Sequence, residues 1–144
     1  MSMIEQALSE YRSGFNCAQA VLVTYGAQLG LNREMALRVA GAFGSGMAQM
    51  GEVCGAVSGA LMVIGLKYGK TSAEDEPSRI ETYSLAKEFV QRFKDRHGSI
   101  MCRDLVGCDL STDDGMADAE ERDLFSTVCP AFVRDSAEII EQIL

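Results

Sequence analysis

Residues Val53 to Leu66 read VCGAVSGALMVIGL, the longest apolar run in the chain. At 14 residues it is too short to span a bilayer, and it carries three glycines and a serine. It reads instead as the heart of a buried helix running from about Glu52 to Tyr68, with Gly69 as its stop.

Working outward, a glycine-rich stretch, GAFGSGMAQMG, occupies Gly41 to Gly51. Before it, Asn32 is a cap candidate for a segment reaching Ala42, with Met35, Leu37, Val39 and Ala40 apolar. Further upstream Phe15, Ala18, Leu22, Tyr25 and Leu29 recur with the alternating three- and four-residue steps of one helix face. Downstream, residues 70–78 (KTSAEDEPS) read as a polar loop or an acidic helix start. Ile80, Tyr83, Ala86, Lys87, Val90 and Lys94 follow, with Leu85, Phe89 and Phe93 on an adjacent strip. This predicts a long amphipathic helix ending near Gly98. Ser99 caps a short helix in IMCRDLVG, and the acidic segment Asp109 to Glu121, opening with DLSTDDG, reads as a solvated loop. A last helix is expected from about Pro130 to the end, with Phe132, Val133, Ala137, Ile140 and Leu144 inward.

No stretch alternates with period two. The expected fold is all-α: one domain over residues 1–144, a bundle of about five helices with one Gly-rich connection. FNCAQAVLVTYGAQLGL and EVCGAVSGALMVIGLKYG echo each other, each reading cysteine, small residues, apolar helix and glycine stop.

The chain of 144 residues is 47% apolar, enough for a real core, and its net charge is −8. That balance argues against nucleic-acid binding, which needs a basic face, and against docking on anionic lipid. One histidine excludes multi-histidine metal cages. The opening residues MSMIEQALSE carry no basic, apolar or cleavage region of a secretory signal, so a cytoplasmic protein is expected. In that compartment five cysteines read as metal ligands, redox groups or plain core residues rather than structural disulfides.

Four of the five fall at expected helix starts. Cys17 and Cys54 open the two apolar helices, Cys102 follows the cap candidate Ser99 by three residues, and Cys129 precedes Pro130, a favoured first-turn residue. Free N–H groups and the positive end of the helix dipole both favour a thiolate there, making the sulfur a nucleophile or a metal ligand. Cys108, between Gly107 and Asp109, sits at a helix end where the dipole disfavours an anion. The spacings contain no CxxC and match no zinc ribbon or common ferredoxin, so any cooperation requires the fold to gather distant helix starts. Core packing is the competing explanation, since free cysteine is among the most buried residue types.

Cys54-Gly55-Ala56-Val57-Ser58-Gly59 is a CGAxxG motif. With Cys17 upstream and Cys102 and Cys129 downstream, nearly the whole chain resembles the family of redox-active proteins named for the cysteine pattern C_GCAxxG_C_C. The resemblance implies that Cys17, Cys54, Cys102 and Cys129 are the family cysteines and that Cys108 is incidental. A related domain in split-Soret cytochromes implies an iron–sulfur or other metal centre in relatives. This chain has no CxxCH, so covalent haem attachment is not implied.

Secondary candidates surround these four. Gly55 and Gly59, four residues apart on one helix face, read as a close-packing face or as room for a cofactor beside Cys54. The same glycines make a homodimer an expectation. Gly44, Ser45 and Gly46 lack the strand and the Gly-Lys-Ser/Thr of a phosphate loop, yet their consecutive amides suit an anion nest in a flexible loop over the cysteine-bearing end. Met47 and Met50 flank that loop, Glu52 is a possible proton acceptor, and His97 reads as a helix-end dipole partner unless it folds back to Cys102. Three functions follow. The first is a thiol redox or electron-transfer protein, working with a redox partner. The second is a metal protein in which the four cysteines hold an iron–sulfur cluster or a single ion. The third is a non-catalytic helical binding module.

Overall fold

Local capping sets most of the helix boundaries. In the computed structural model, which describes residues Met1 to Leu144, Ser2 and Glu5 form a reciprocal capping box that opens α1 (Met3–Arg12). Asn16 and Gln19 form a second one that opens α2 (Cys17–Gln28). The Asn32 side chain caps α3 (Arg33–Val39), and Asp75 caps α5 (Glu76–His97). Gly98, with φ 81°, ends α5 in the left-handed conformation that glycine adopts without steric cost. Between them runs α4 (Gly55–Tyr68); after them come α6 (Cys102–Val106), α7 (Asp113–Glu121), α8 (Leu124–Thr127) and α9 (Cys129–Ile143).

The all-α class is as expected, but nine α-helices and one three-residue 3-10 turn (Gly41–Phe43) replace the expected five. The acidic segment is a correction. From Asp113 it is a helix, because the Thr112 hydroxyl accepts from the Gly115 amide and Asp113 and Asp114 sit at the positive end of the dipole. The same Ser, Thr and Asp residues that suggest a turn are helix-capping residues. On α5 the inward strip is Phe89 and Phe93, whereas Ile80 and Tyr83 are exposed.

Two helices form the centre. α2 buries eight of its twelve residues, on all sides, and α4 buries seven of fourteen, along the broad face that carries Gly55, Ala56, Gly59, Ala60, Val63 and Ile64. They make the most extensive helix pair in the molecule, so the two segments that echo each other in sequence pack together. α1, α5 and α9 pack around them. Small residues let α2 and α4 approach closely. A Cβ on Gly59 would lie 2.8 Å from the Ala18 carbonyl oxygen, and one on Gly55 would lie 2.8 Å from the Ala18 nitrogen. α9 is tied to this pair by Ser136, whose buried hydroxyl donates to the Ala56 carbonyl at 2.7 Å.

One non-helical contact fixes the end of the bundle. Val53 and Met101 form an isolated antiparallel bridge. The Cys54 amide donates to the Ile100 carbonyl at 2.7 Å, and the Cys102 amide to the Glu52 carbonyl at 2.6 Å. Backbone pairing thus holds the starts of α4 and α6 side by side. No helix is long and apolar enough to cross a membrane.

Candidate functional site

Each of the four cysteines read as a helix-start residue is one. Cys17, Cys102 and Cys129 are the first residues of α2, α6 and α9, and Cys54 is the N-cap of α4. All four line a single cavity of about 540 Å³. Cys54, Cys102 and Cys129 are buried, Cys17 is half-buried, and all are free thiols. Cys108 lies elsewhere, its sulfur 3.2 Å from an Asp118 carboxylate oxygen and 3.9 Å from the Arg122 guanidinium.

The four thiols are electrostatically unequal. A hydrogen bond from the Cys17 thiol lowers the pKa of Cys54; burial opposes the shift, and the Ala56 and Val57 amides at the head of α4 add to it. Cys54 makes no capping hydrogen bond in its neutral form, so these amides act on the anion. Cys17 is pushed the other way by the same hydrogen bond, then by burial and by neighbouring sulfur charge. Burial, reinforced by charge on Cys54 and Cys129, pushes Cys102 up to about 12. Burial takes Cys129 to about 11, against the pull of a hydrogen bond from Tyr11. Cys54 is thus the one thiol of the four shifted down, while burial, with charge on neighbouring sulfurs, raises the others.

Tyr11 links the cluster to its wall. Its hydroxyl donates to the Phe125 carbonyl at 2.6 Å and lies within reach of the Cys129 sulfur. It has one proton to give, to the carbonyl or to a Cys129 thiolate. Asn16 braces the rim, its amide donating to the Ala40 and Gly41 carbonyls at 3.3 and 3.4 Å.

The glycine-rich connection folds into a hydrogen-bonded turn of left-handed backbone. Ser45, Gly46, Met47, Ala48 and Gln49 all have positive φ, from 53° to 71°. The Gln49, Gly51 and Glu52 amides close onto the carbonyls of Gly44, Ser45 and Gly46. Left-handed backbone costs a non-glycine residue roughly 1–2 kcal/mol, so four such residues are a substantial strain held by their surroundings. The turn presses on the site: a Cβ on Gly46 would lie 2.6 Å from the Cys102 Cβ.

Of the expected cofactor-contacting residues, Ser45, Gly46 and Gly55 line the cavity, whereas Gly44 and Gly59 do not. Gly44 faces Asn16, and the space beside Gly59 is filled by α2 backbone. The glycine face that suggested a homodimer is therefore occupied within the chain. Glu52 is 3.5 Å from Arg103, and neither it nor Met47 nor Met50 lines the cavity. His97 turns to α9, its Nε2 2.7 Å from an Asp135 oxygen and its ring between Phe93 and Phe132. No three His, Cys, Asp or Glu side chains are grouped to hold a metal ion, so the four sulfurs as placed do not form a metal site. The sequence reading missed Tyr11, Arg12 and Phe125 as cavity residues. The Ser2–Glu5 capping signature would have revealed α1, which carries the first two, though not where it docks.

A helical bundle whose sequence-distant cysteines converge at helix starts around one cavity is a candidate thiol-chemistry protein. The chain belongs to the C_GCAxxG_C_C family, described as "Putative redox-active protein", whose model matches residues 15–143. No curated protein and no solved structure matches it.

Proposed function

We propose that this is a thiol–disulfide redox protein in which Cys54 is the attacking thiolate and Cys17 its resolving partner, working in a reducing compartment such as the cytoplasm. The observation that carries the reading is the shared cavity: four cysteines from four helices line one space. Core filler has no reason to gather there. The place of Cys54 at the N-cap of α4, where the Ala56 and Val57 amides favour its anion, supports giving it the attacking role and Cys17 the resolving one.

The Cys54 thiolate attacks one sulfur of a substrate disulfide, and the other sulfur leaves as a thiolate and takes up a proton. Cys17 then loses its proton and attacks the Cys54 sulfur, expelling the second substrate thiol. Two electrons pass to the substrate, and Cys17 and Cys54 end as a disulfide. An external dithiol, the redox partner, restores them by the reverse exchange. Cys102 and Cys129 stay neutral and surround the reacting pair.

Alkylation of the reduced chain by iodoacetamide across pH, with each cysteine followed by peptide mass, tests this. Cys54 should reach its half-maximal rate below the ordinary thiol range near pH 8.5 and outpace the other three. Mild oxidation should yield a Cys17–Cys54 bond, absent in Cys54→Ser. Uniform, slow alkylation of all four thiols with no such bond would overturn the assignment. A cluster-binding role would use the same four sulfurs; iron or zinc at stoichiometric level after anaerobic purification would replace the dithiol reading.

A further inference from the structure

We infer that the cavity beside Cys54 takes a small anionic disulfide with an apolar or aromatic body, held through its carboxylate or similar acid group by Arg12. The inference rests on the dithiol reading above and adds its substrate class.

Arg12 is the only charged residue among the 18 that line the cavity. It sits in the last turn of α1, exposed at the rim, and its guanidinium makes no ion pair and no hydrogen bond within the chain. That is notable in a chain with 21 acidic residues, where neighbouring Arg33 takes up Glu10 through two contacts of 2.7 and 2.9 Å. A free guanidinium beside a site with no competing carboxylate offers a planar fork of donors to an incoming acid.

The walls define the rest of the ligand. Tyr11, Phe15, Phe125 and Phe132 give the cavity an aromatic lining, and its volume of about 540 Å³ matches a small molecule. Cys54 has only 4% of its surface exposed. A disulfide on the surface of a folded protein cannot reach a sulfur so deep, whereas a small molecule entering the cavity can. Acid group on Arg12, apolar body against the rings and S–S bond toward Cys54 use the three features together.

Two aromatic disulfide probes separate the claims. Dithiobis(nitrobenzoate) carries carboxylates; dithiodipyridine is uncharged. Both release a chromophore on exchange, and N-acetylcysteine gives the intrinsic ratio of their rate constants. The reduced full-length chain should favour the anionic probe about two- to fivefold beyond that ratio, as expected for a charge-assisted contact at an exposed guanidinium. Arg12→Gln should erase the excess and Arg12→Lys should keep part of it. If both probes convert Cys17 and Cys54 to the disulfide with the intrinsic ratio, or if the excess survives in Arg12→Gln, the substrate class is wrong while the dithiol chemistry stands. If neither probe produces that disulfide, both readings fall.

Discussion

Cys54 and Cys108 show how position decides what a thiol can do. Both are buried, but Cys54 caps α4, with amides and the Cys17 thiol facing its sulfur. Cys108 follows the end of α6 beside Asp118, whose hydrogen bond and charge, with burial, raise its pKa despite Arg122 nearby. The glycine behind Cys102 belongs to the same scale. Gly46 has φ 71°, and an added Cβ would meet both the Cys102 Cβ and the Glu52 nitrogen at 2.6 Å. Gly30 has φ 84° but open space around it. Gly30→Ala should therefore lose about 1 kcal/mol of unfolding free energy, the cost of the conformation alone. Gly46→Ala should lose about 2–4 kcal/mol and speed alkylation of Cys102 as that side chain is displaced. Urea denaturation compares the two; equal losses would mean that the turn does not brace the site.

At the scale of elements, the crossing of α2 and α4 places Cys17 against Cys54. Gly59, inside α4, gives up roughly 1 kcal/mol of helix propensity, offset by the close contact it permits, while Gly55 stands at the first position of the helix. Gly65, on the same helix, has nothing within 4 Å of where its Cβ would be. Gly59→Ala should cost about 1–3 kcal/mol by pushing the helices apart. Gly65→Ala should stabilise by about 0.5–1 kcal/mol, since the helical conformation suits alanine better. Thermal unfolding of the two variants distinguishes packing from propensity, because propensity alone would raise both midpoints. Both glycines and their spacing were legible as a helix face in the sequence. Which helix they meet was not, because apolar α2 and α4 offer several equivalent small-residue surfaces and only the assembled bundle selects one.

Over the whole molecule, gathering the thiols in one cavity has a consequence for alkaline stability. Burial pushes Cys102 up to about 12 and Cys129 to about 11, above the ordinary thiol range, and the cavity also pushes Cys17 up. Between pH 9 and 11 the unfolded chain releases thiol protons that the folded chain retains. The folded state then binds more protons, so unfolding free energy falls as pH rises through this window. Half-buried Tyr11 and buried Tyr25, also pushed up by burial, extend the fall at its upper end. Cys54, shifted down, acts oppositely, and its contribution is present above the ordinary thiol range and lost as pH falls through its own lower pKa. Urea midpoints measured from neutral pH upward should decline, less steeply in the Cys102→Ala, Cys129→Ala double variant. Parallel slopes would show that these thiols titrate alike folded and unfolded.

The amino-acid sequence by itself determined the helical class, the two apolar central helices and the placing of four cysteines at helix starts. These depend on periodicity and capping, which act over one or two turns. Only the tertiary structure decided that those four starts meet. Their convergence comes from the pairing of residues 52–54 with 100–102, from the α2–α4 crossing and from the docking of α9 and α1. Long-range packing also turned Gly59 toward α2, sent His97 to Asp135 and left Arg12 at the cavity rim without an acid. Each choice is made between chain segments far apart in sequence, where the free energy of burying a surface depends on which partner covers it.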